Sequence, residues 1–142
     1  MTRDPAALAR ATYAAYETGD RAAIEALVAD DFRFWSPVDD GIDRVAYFER
    51  CWPNHERLAA FRFVRLVSHG EEVVVTYEAE RTDGSRFRNT EVLTFADDRL
   101  TTAEVYFGWN LSPSGRRASA PSPPPAAPRP TAGPAASRRR PA

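Results

Sequence analysis

The sequence predicts an α+β fold, three N-terminal helices packed on one face of a curved antiparallel sheet. Two observations carry this. Every apolar run of helical period lies before Pro53, and from Phe61 onward the chain alternates as strands separated by short turns. A third observation bounds the domain. The segment 111–142 holds nine of the 12 prolines and one large apolar residue, Leu111, so it cannot bury enough surface to offset its ordering entropy. The expected organisation is a folded domain over 4–110 followed by a disordered Pro/Ala/Arg-rich tail over 111–142.

The elements follow in order. Asp4 and Pro5 are an N-cap and a first helical residue, and the alanine-rich 6–17 puts Leu8, Thr12, Ala15 and Tyr16 on one face. Gly19 ends this helix and Asp20 caps a second, 21–29, whose stripe is Ala23, Ile24, Leu27 and Val28. The aromatic stretch 32–36 reads as a strand stopped by Pro37, with a turn over 38–41. Asp43 caps a third helix, 44–52, with Ile42 and Tyr47 placed as a hydrophobic staple and Val45, Phe48 and Trp52 as its buried stripe; Pro53 ends it. Strands are expected over 61–68, 72–81, 87–95 and 100–109, joined by turns at 82–85 and 96–99. On the first of them Phe61 and Phe63, with Arg65, share a side.

Charge excludes some functions. All 19 basic residues are arginine, and 1–110 holds 13 of them against 20 acids, a net of −7. An acidic body repels a phosphate backbone, so no nucleic-acid partner is expected for the domain. Arg138, Arg139 and Arg140 form too short a cluster to favour a membrane surface. With no apolar run near the length of a spanning helix, no secretory h-region and a single cysteine, Cys51, a cytoplasmic protein without disulfides is expected. His55 and His69 lack metal-ligand spacing, and there is no Gly-rich phosphate loop, G-x-S-x-G elbow or nucleotide fingerprint, so neither metal nor cofactor is expected. Cys51 and His55 are four apart, but Pro53 breaks the helical geometry between them, which favours packing over a nucleophile pair.

Three stretches carry a family resemblance: 13–20, ending in Gly19-Asp20; 27–37, from Leu27 through Phe32 to Pro37; and 93–108, from Leu93 to Gly108. In their order and spacing the chain resembles the nuclear transport factor 2-like superfamily, in particular its SnoaL-like branch. The resemblance implies a cone-like half barrel whose hollow is closed by the three helices, and a homodimer through the sheet. It implies no single activity, since that superfamily includes isomerases, cyclases, dehydratases, epoxide hydrolases and non-catalytic binders. Against ketosteroid isomerase, the base that precedes a proline is matched here by Ser36, the helix tyrosine by Thr12 with Tyr13 and Tyr16 nearby, and the neutral acid by Glu91. A serine hydroxyl cannot take a proton at neutral pH without its own base, so steroid isomerisation by that route is not expected.

Glu91 is the most informative residue. Strand alternation puts Phe87, Asn89, Glu91, Leu93 and Phe95 on one face, so a carboxylate and an amide project into a mostly apolar hollow, where burial would raise the Glu91 pKa. The other reading has this face outward, or Glu91 paired with Arg62, Arg65 or Arg81. Asp39 and Asp40 read as a solvated acidic turn, the other reading being carboxylates that face the mouth of the hollow. The expected site comprises Glu91 and Tyr16 as catalytic residues and Trp35, Ser36, Tyr47 and Asn89 as substrate contacts. The expected ligand is a small apolar oxygenated molecule, acted on without a cofactor by isomerase-, cyclase- or hydrolase-type acid/base chemistry. The alternative is a non-catalytic small-molecule-binding or dimerisation module. Large residues on both faces of one strand, Val73, Val75 and Tyr77 against Val74, also predict a homodimer through the outer face.

Overall fold

The computed structural model describes residues 3–112; the expected tail, from 113 to its end, lies outside the described residues. Helices α1 (Pro5–Thr18) and α2 (Arg21–Leu27) are followed by strand β1 (Val28–Ser36), strand β2 (Asp39–Ile42), helix α3 (Arg44–Arg50) and a 3-10 segment (Trp52–Arg57). Strands β3 (Leu58–His69), β4 (Glu72–Arg81), β5 (Arg86–Ala96) and β6 (Arg99–Leu111) complete one six-stranded sheet in the order β2-β1-β6-β5-β4-β3. The pairings are antiparallel except β1 with β6, which run parallel. The expected antiparallel meander is β3 to β6, and β1, reached earlier by way of the helical layer, joins it in parallel.

Local chemistry sets most boundaries. Gly19 ends α1 in the left-handed region at φ 68°, and its N–H bonds the Ala15 carbonyl. Asp20 and Asp43 cap α2 and α3 by accepting from Ala23 N at 3.1 Å and Ala46 N at 2.9 Å. Asp4 stands at the N-cap of α1, but its side chain makes no cap bond.

Several expected boundaries are corrected. Helix α2 stops at Leu27 because fully buried Val28 turns extended to pair with Leu100. The expected turn over 38–41 is largely β2, which returns along β1 with Ser36 opposite Asp39. Helix α3 stops at Arg50, and Pro53 sits in a tighter 3-10 turn that carries the chain into β3 three residues early. Val45 is 65% exposed and falls outside the expected stripe, while Phe48 and Trp52 are buried as expected and Tyr47 is buried with them. A bulge between Phe63 and Arg65 puts exposed Arg65 outside, with Leu66 packing on the core in its place. At the far end β6 runs to Leu111, one residue past the expected domain limit.

The core lies between the helices and the inner face of the sheet, with Leu8, Ile24, Val28, Phe32, Val73 and Leu93 essentially inaccessible. The outer face has its own polar centre. Glu78, opposite in direction to Tyr77, accepts from Arg62, Arg86 and Arg88, and Thr76 meets Thr90 at 2.8 Å. No helix among the described residues is long and apolar enough to cross a membrane.

Candidate active site

The inner face of the sheet does not meet the helices everywhere. Towards the β4–β5 hairpin the layers diverge and leave a cavity of about 600 Å3 between α1, α3, the 3-10 segment and strands β1 to β6. Alternation decides what borders it. On β4 and β5, Val75 pairs with Glu91 and Tyr77 with Asn89, so all four point inward.

Glu91 sits between two hydroxyls. Tyr13 of α1 donates to Oε1 at 2.9 Å, and Tyr77 of β4 donates to Oε2 at 2.8 Å. Asn89 lies 3.4 Å from the Tyr77 oxygen, and its own oxygen accepts the Gly108 N–H at 3.1 Å, which fixes the amide orientation. Glu91 keeps some accessible surface only because it borders the cavity; protein encloses it elsewhere. Burial raises its pKa, and the two tyrosine hydrogen bonds offset that only in part. Among the described residues no arginine pairs with it: Arg62 is committed to Glu78 on the opposite face, and the Arg81 guanidinium lies over the Phe87 ring. Both Glu91 oxygens accept from a tyrosine, and when protonated the carboxyl also carries one O–H to donate.

A second polar group borders the same cavity. Ser36 at the end of β1 donates to Asp39 Oδ2 at 2.9 Å, and the other Asp39 oxygen lies 2.5 Å from an Arg50 guanidinium nitrogen. That contact is an ion pair whose angle falls short of a hydrogen bond. The Asp39 side chain is only 7% exposed, so the expected solvated turn is a buried carboxylate instead. Between the two groups Tyr16 and Tyr47 share a short hydroxyl–hydroxyl contact, and burial pushes both phenols above their ordinary pKa.

The expected site residues divide accordingly. Tyr16, Ser36, Tyr47, Asn89 and Glu91 all border the cavity. Trp35 does not, because its neighbours Phe34 and Ser36 face inward and alternation turns it out. Its indole lies beside Glu104 and Tyr106 in a shallow outer groove. Thr12, matched to the helix tyrosine of ketosteroid isomerase, spends its hydroxyl on the Leu8 carbonyl at 2.9 Å, and Tyr13 is the residue that reaches Glu91. The sequence reading leaves Tyr13, Tyr77, Asp39 and Arg50 out of the expected site, and all four border the cavity. Tyr77 lies across from Asn89 because the hairpin closes on Arg81 and Ser85, one residue tighter than the expected 82–85 turn, which would have set Tyr77 opposite Thr90.

Cys51 also borders the cavity, but burial and the nearby Asp39 push its thiol up to about 12, and His55 is stacked on Trp52 at 4.3 Å. The two form no nucleophile pair. Among the described residues no three His, Cys, Asp or Glu side chains lie close enough to share a metal ion.

With this geometry established, the relatives become informative. The model of the SnoaL-like domain matches residues 9–103. The chain belongs to the SnoaL-like domain family. A search of curated proteins finds no significant sequence match to this SnoaL-like chain. Among solved structures it is similar to a candidate ketosteroid isomerase from Kribbella flavida, with a TM-score of 0.66, 20% identity and 87% and 91% of the two chains covered. An LEH-like epoxide hydrolase of M. tuberculosis superposes with a TM-score of 0.61 at 20% identity, covering 73% of this chain and 82% of that one. IdmH, a candidate polyketide cyclase from Streptomyces antibioticus, gives 0.61 at 18% identity, with 72% and 91% covered. At these identities the likeness establishes the fold of the SnoaL-like chain, a cone-like α+β architecture, and not its chemistry.

Proposed function

We propose that the cavity binds a small, largely apolar oxygenated molecule and that Glu91 transfers a proton to or from it, as a cofactor-independent acid/base enzyme of isomerase, cyclase or hydrolase type. The observation that carries this is a carboxyl group buried between two tyrosine hydroxyls at the wall of a cavity large enough for a ligand. Burial keeps Glu91 protonated to higher pH than an ordinary carboxyl, so it can deliver its proton to a developing oxyanion; once ionised it is held by the same two hydroxyls. Asp39 supplies the complementary wall. Its carboxyl is tied to Arg50, so the cavity has a second carboxyl group, paired with a cation, across from the tyrosine-bound one. Tyr16 and Asn89, both on the cavity wall, hold the substrate oxygen in this reading. The names of the structural neighbours span this range of chemistry.

The second reading, a binding module without turnover, is favoured by Ser36, which stands where a base would precede Pro37. One experiment separates the two. The full chain and its Glu91→Gln variant are offered β,γ-unsaturated ketones, aryl epoxides and β-keto esters, with product formation followed by mass spectrometry. The enzyme reading expects conversion of one class, lowered about 100-fold or more in kcat by the substitution, with KM little changed. Conversion that survives in the variant removes Glu91 from the mechanism, and binding of all three classes without conversion selects the module.

A further inference from the structure

The domain over 1–110 carries a net charge of −7, yet the cavity wall has the opposite sign. Its ionisable side chains, apart from phenols and the thiol, are Asp39, Arg50, Arg57, Arg81 and Glu91. Asp39 and Arg50 neutralise each other, and Arg57 and Arg81 outnumber Glu91, so the wall is net positive whichever way Glu91 is protonated. An acidic protein that keeps two cationic groups on its cavity has placed the field there against its own net charge.

The two arginines are neighbours. The Arg57 carbonyl accepts the Thr82 N–H at 2.9 Å, and Leu58 pairs with Arg81 across β3 and β4. Neither has a carboxylate within ion-pair distance among the described residues. Arg81 donates to Ser85 at 3.2 Å and lies over Phe87 at 4.2 Å, while the nearby Asp83 turns its carboxylate to Ser85. The guanidinium of Arg81 is thereby held at the inner face with donors to spare, and Arg57 is exposed at the rim. Along β4, Arg81 lies six residues from Val75, the partner of Glu91, a backbone separation of about 20 Å. Tyr77 and Phe87 border the cavity over the interval.

We infer that the ligand is an amphipathic anion. Its carboxylate or phosphate is held by Arg57 and Arg81 at the mouth, and its apolar body reaches inward towards Glu91. The inference rests on the ligand-binding reading above and adds a substrate class to it. A planar guanidinium fork matches an oxyanion in two-point contact, and an apolar body alone would gain nothing from cations at the entrance. Electrostatic capture at the mouth also orients the molecule end to end, so that one defined region of the body meets the tyrosine-flanked carboxyl.

The test uses three probes with one ten-carbon chain: decanoate, decyl phosphate and decanol. Binding to the full-length protein is followed by tryptophan fluorescence and calorimetry at low and at physiological salt, below each probe's micelle or solubility limit. Decanoate or decyl phosphate is expected to bind at least tenfold more tightly than decanol, with the advantage shrinking as salt rises; whichever anion is preferred names the headgroup. Arg57→Gln and Arg81→Gln are each expected to weaken the anion about tenfold while leaving decanol unchanged, and Arg99→Gln, at the opposite end of the sheet where β6 begins, to leave all three unchanged. Arg57 is exposed, so its variant reports even where the loss of Arg81 from Phe87 disturbs the fold. Decanol binding as tightly as both anions overturns the anionic class and leaves the cavity reading standing. Absence of binding by all three overturns both.

Discussion

Replacing Glu91 with glutamine should change how stability depends on pH, and the structure dictates the sign. Burial raises the Glu91 pKa in the folded state above its value in the unfolded chain. Between the two values the folded protein holds a proton that the unfolded chain has lost. The stabilisation is complete below the unfolded pKa and is lost as pH rises through the folded one. One proton sets the steepest slope at about 1.4 kcal/mol per pH unit. Glutamine has nothing to titrate, so the stability of the variant relative to the wild type should climb with that slope from about pH 4.5 and level off once Glu91 is ionised in both states. Glu78 does not confuse the measurement. Its burial raises the carboxyl, hydrogen bonds from Arg88 and Arg62 outweigh that, and its net shift is downward, so its effect falls on the acid side. It is also common to both proteins and cancels in the difference. The amide can still accept from one tyrosine and donate to the other, so a constant offset of about 1 kcal/mol in either direction is allowed. Urea unfolding of both proteins at half-unit steps from pH 4 to 8.5, with matched m-values, measures the difference. A difference that stays flat over the whole range would refute the claim that Glu91 is buried without a compensating charge.

Two further outcomes follow from the sheet. A methyl group on Gly108 would meet the Arg88 carbonyl oxygen at 2.1 Å, at the bulge where β6 passes Arg88, so Gly108→Ala should destabilise the fold by about 2–4 kcal/mol in the same unfolding assay; a loss below 0.5 kcal/mol would mean the bulge relaxes freely. The homodimer is a proposal about the outer face, where Trp35, Tyr106 and Trp109 are 37%, 55% and 52% exposed. Sedimentation should find a dimer at micromolar concentration that Tyr106→Asp converts to monomer, and a wild-type monomer throughout would count against it.

What the sequence determined by itself were the features that depend on neighbours along the chain. Gly19, Asp20 and Asp43 mark helix ends through local dihedral and hydrogen-bond chemistry, and the alternation of β4 and β5 puts Asn89 and Glu91 on one face whatever the rest of the fold does. The order of helices and strands, with the motifs at 13–20, 27–37 and 93–108, was enough to indicate the family. Reading Trp35 and Ser36 as cavity contacts together set alternation aside, and the strand separates them. Other features were decided only by contacts between residues distant in sequence. Val28 leaves its helix because it pairs with Leu100, and Asp39 and Asp40 become a strand because β1 offers an open edge. Tyr13 reaches Glu91 across 78 residues, and nothing near either one records the other. The charges of the cavity wall were equally hidden. Whether Asp39 is a solvated turn or a buried carboxylate beside Arg50 depends on where α3 packs, and whether Glu91 meets an arginine or two tyrosines depends on which face of the sheet the helices cover. A carboxyl group's pKa follows from the three-dimensional distribution of solvent and charge around it, which the order of residues along the chain does not specify until the fold is closed.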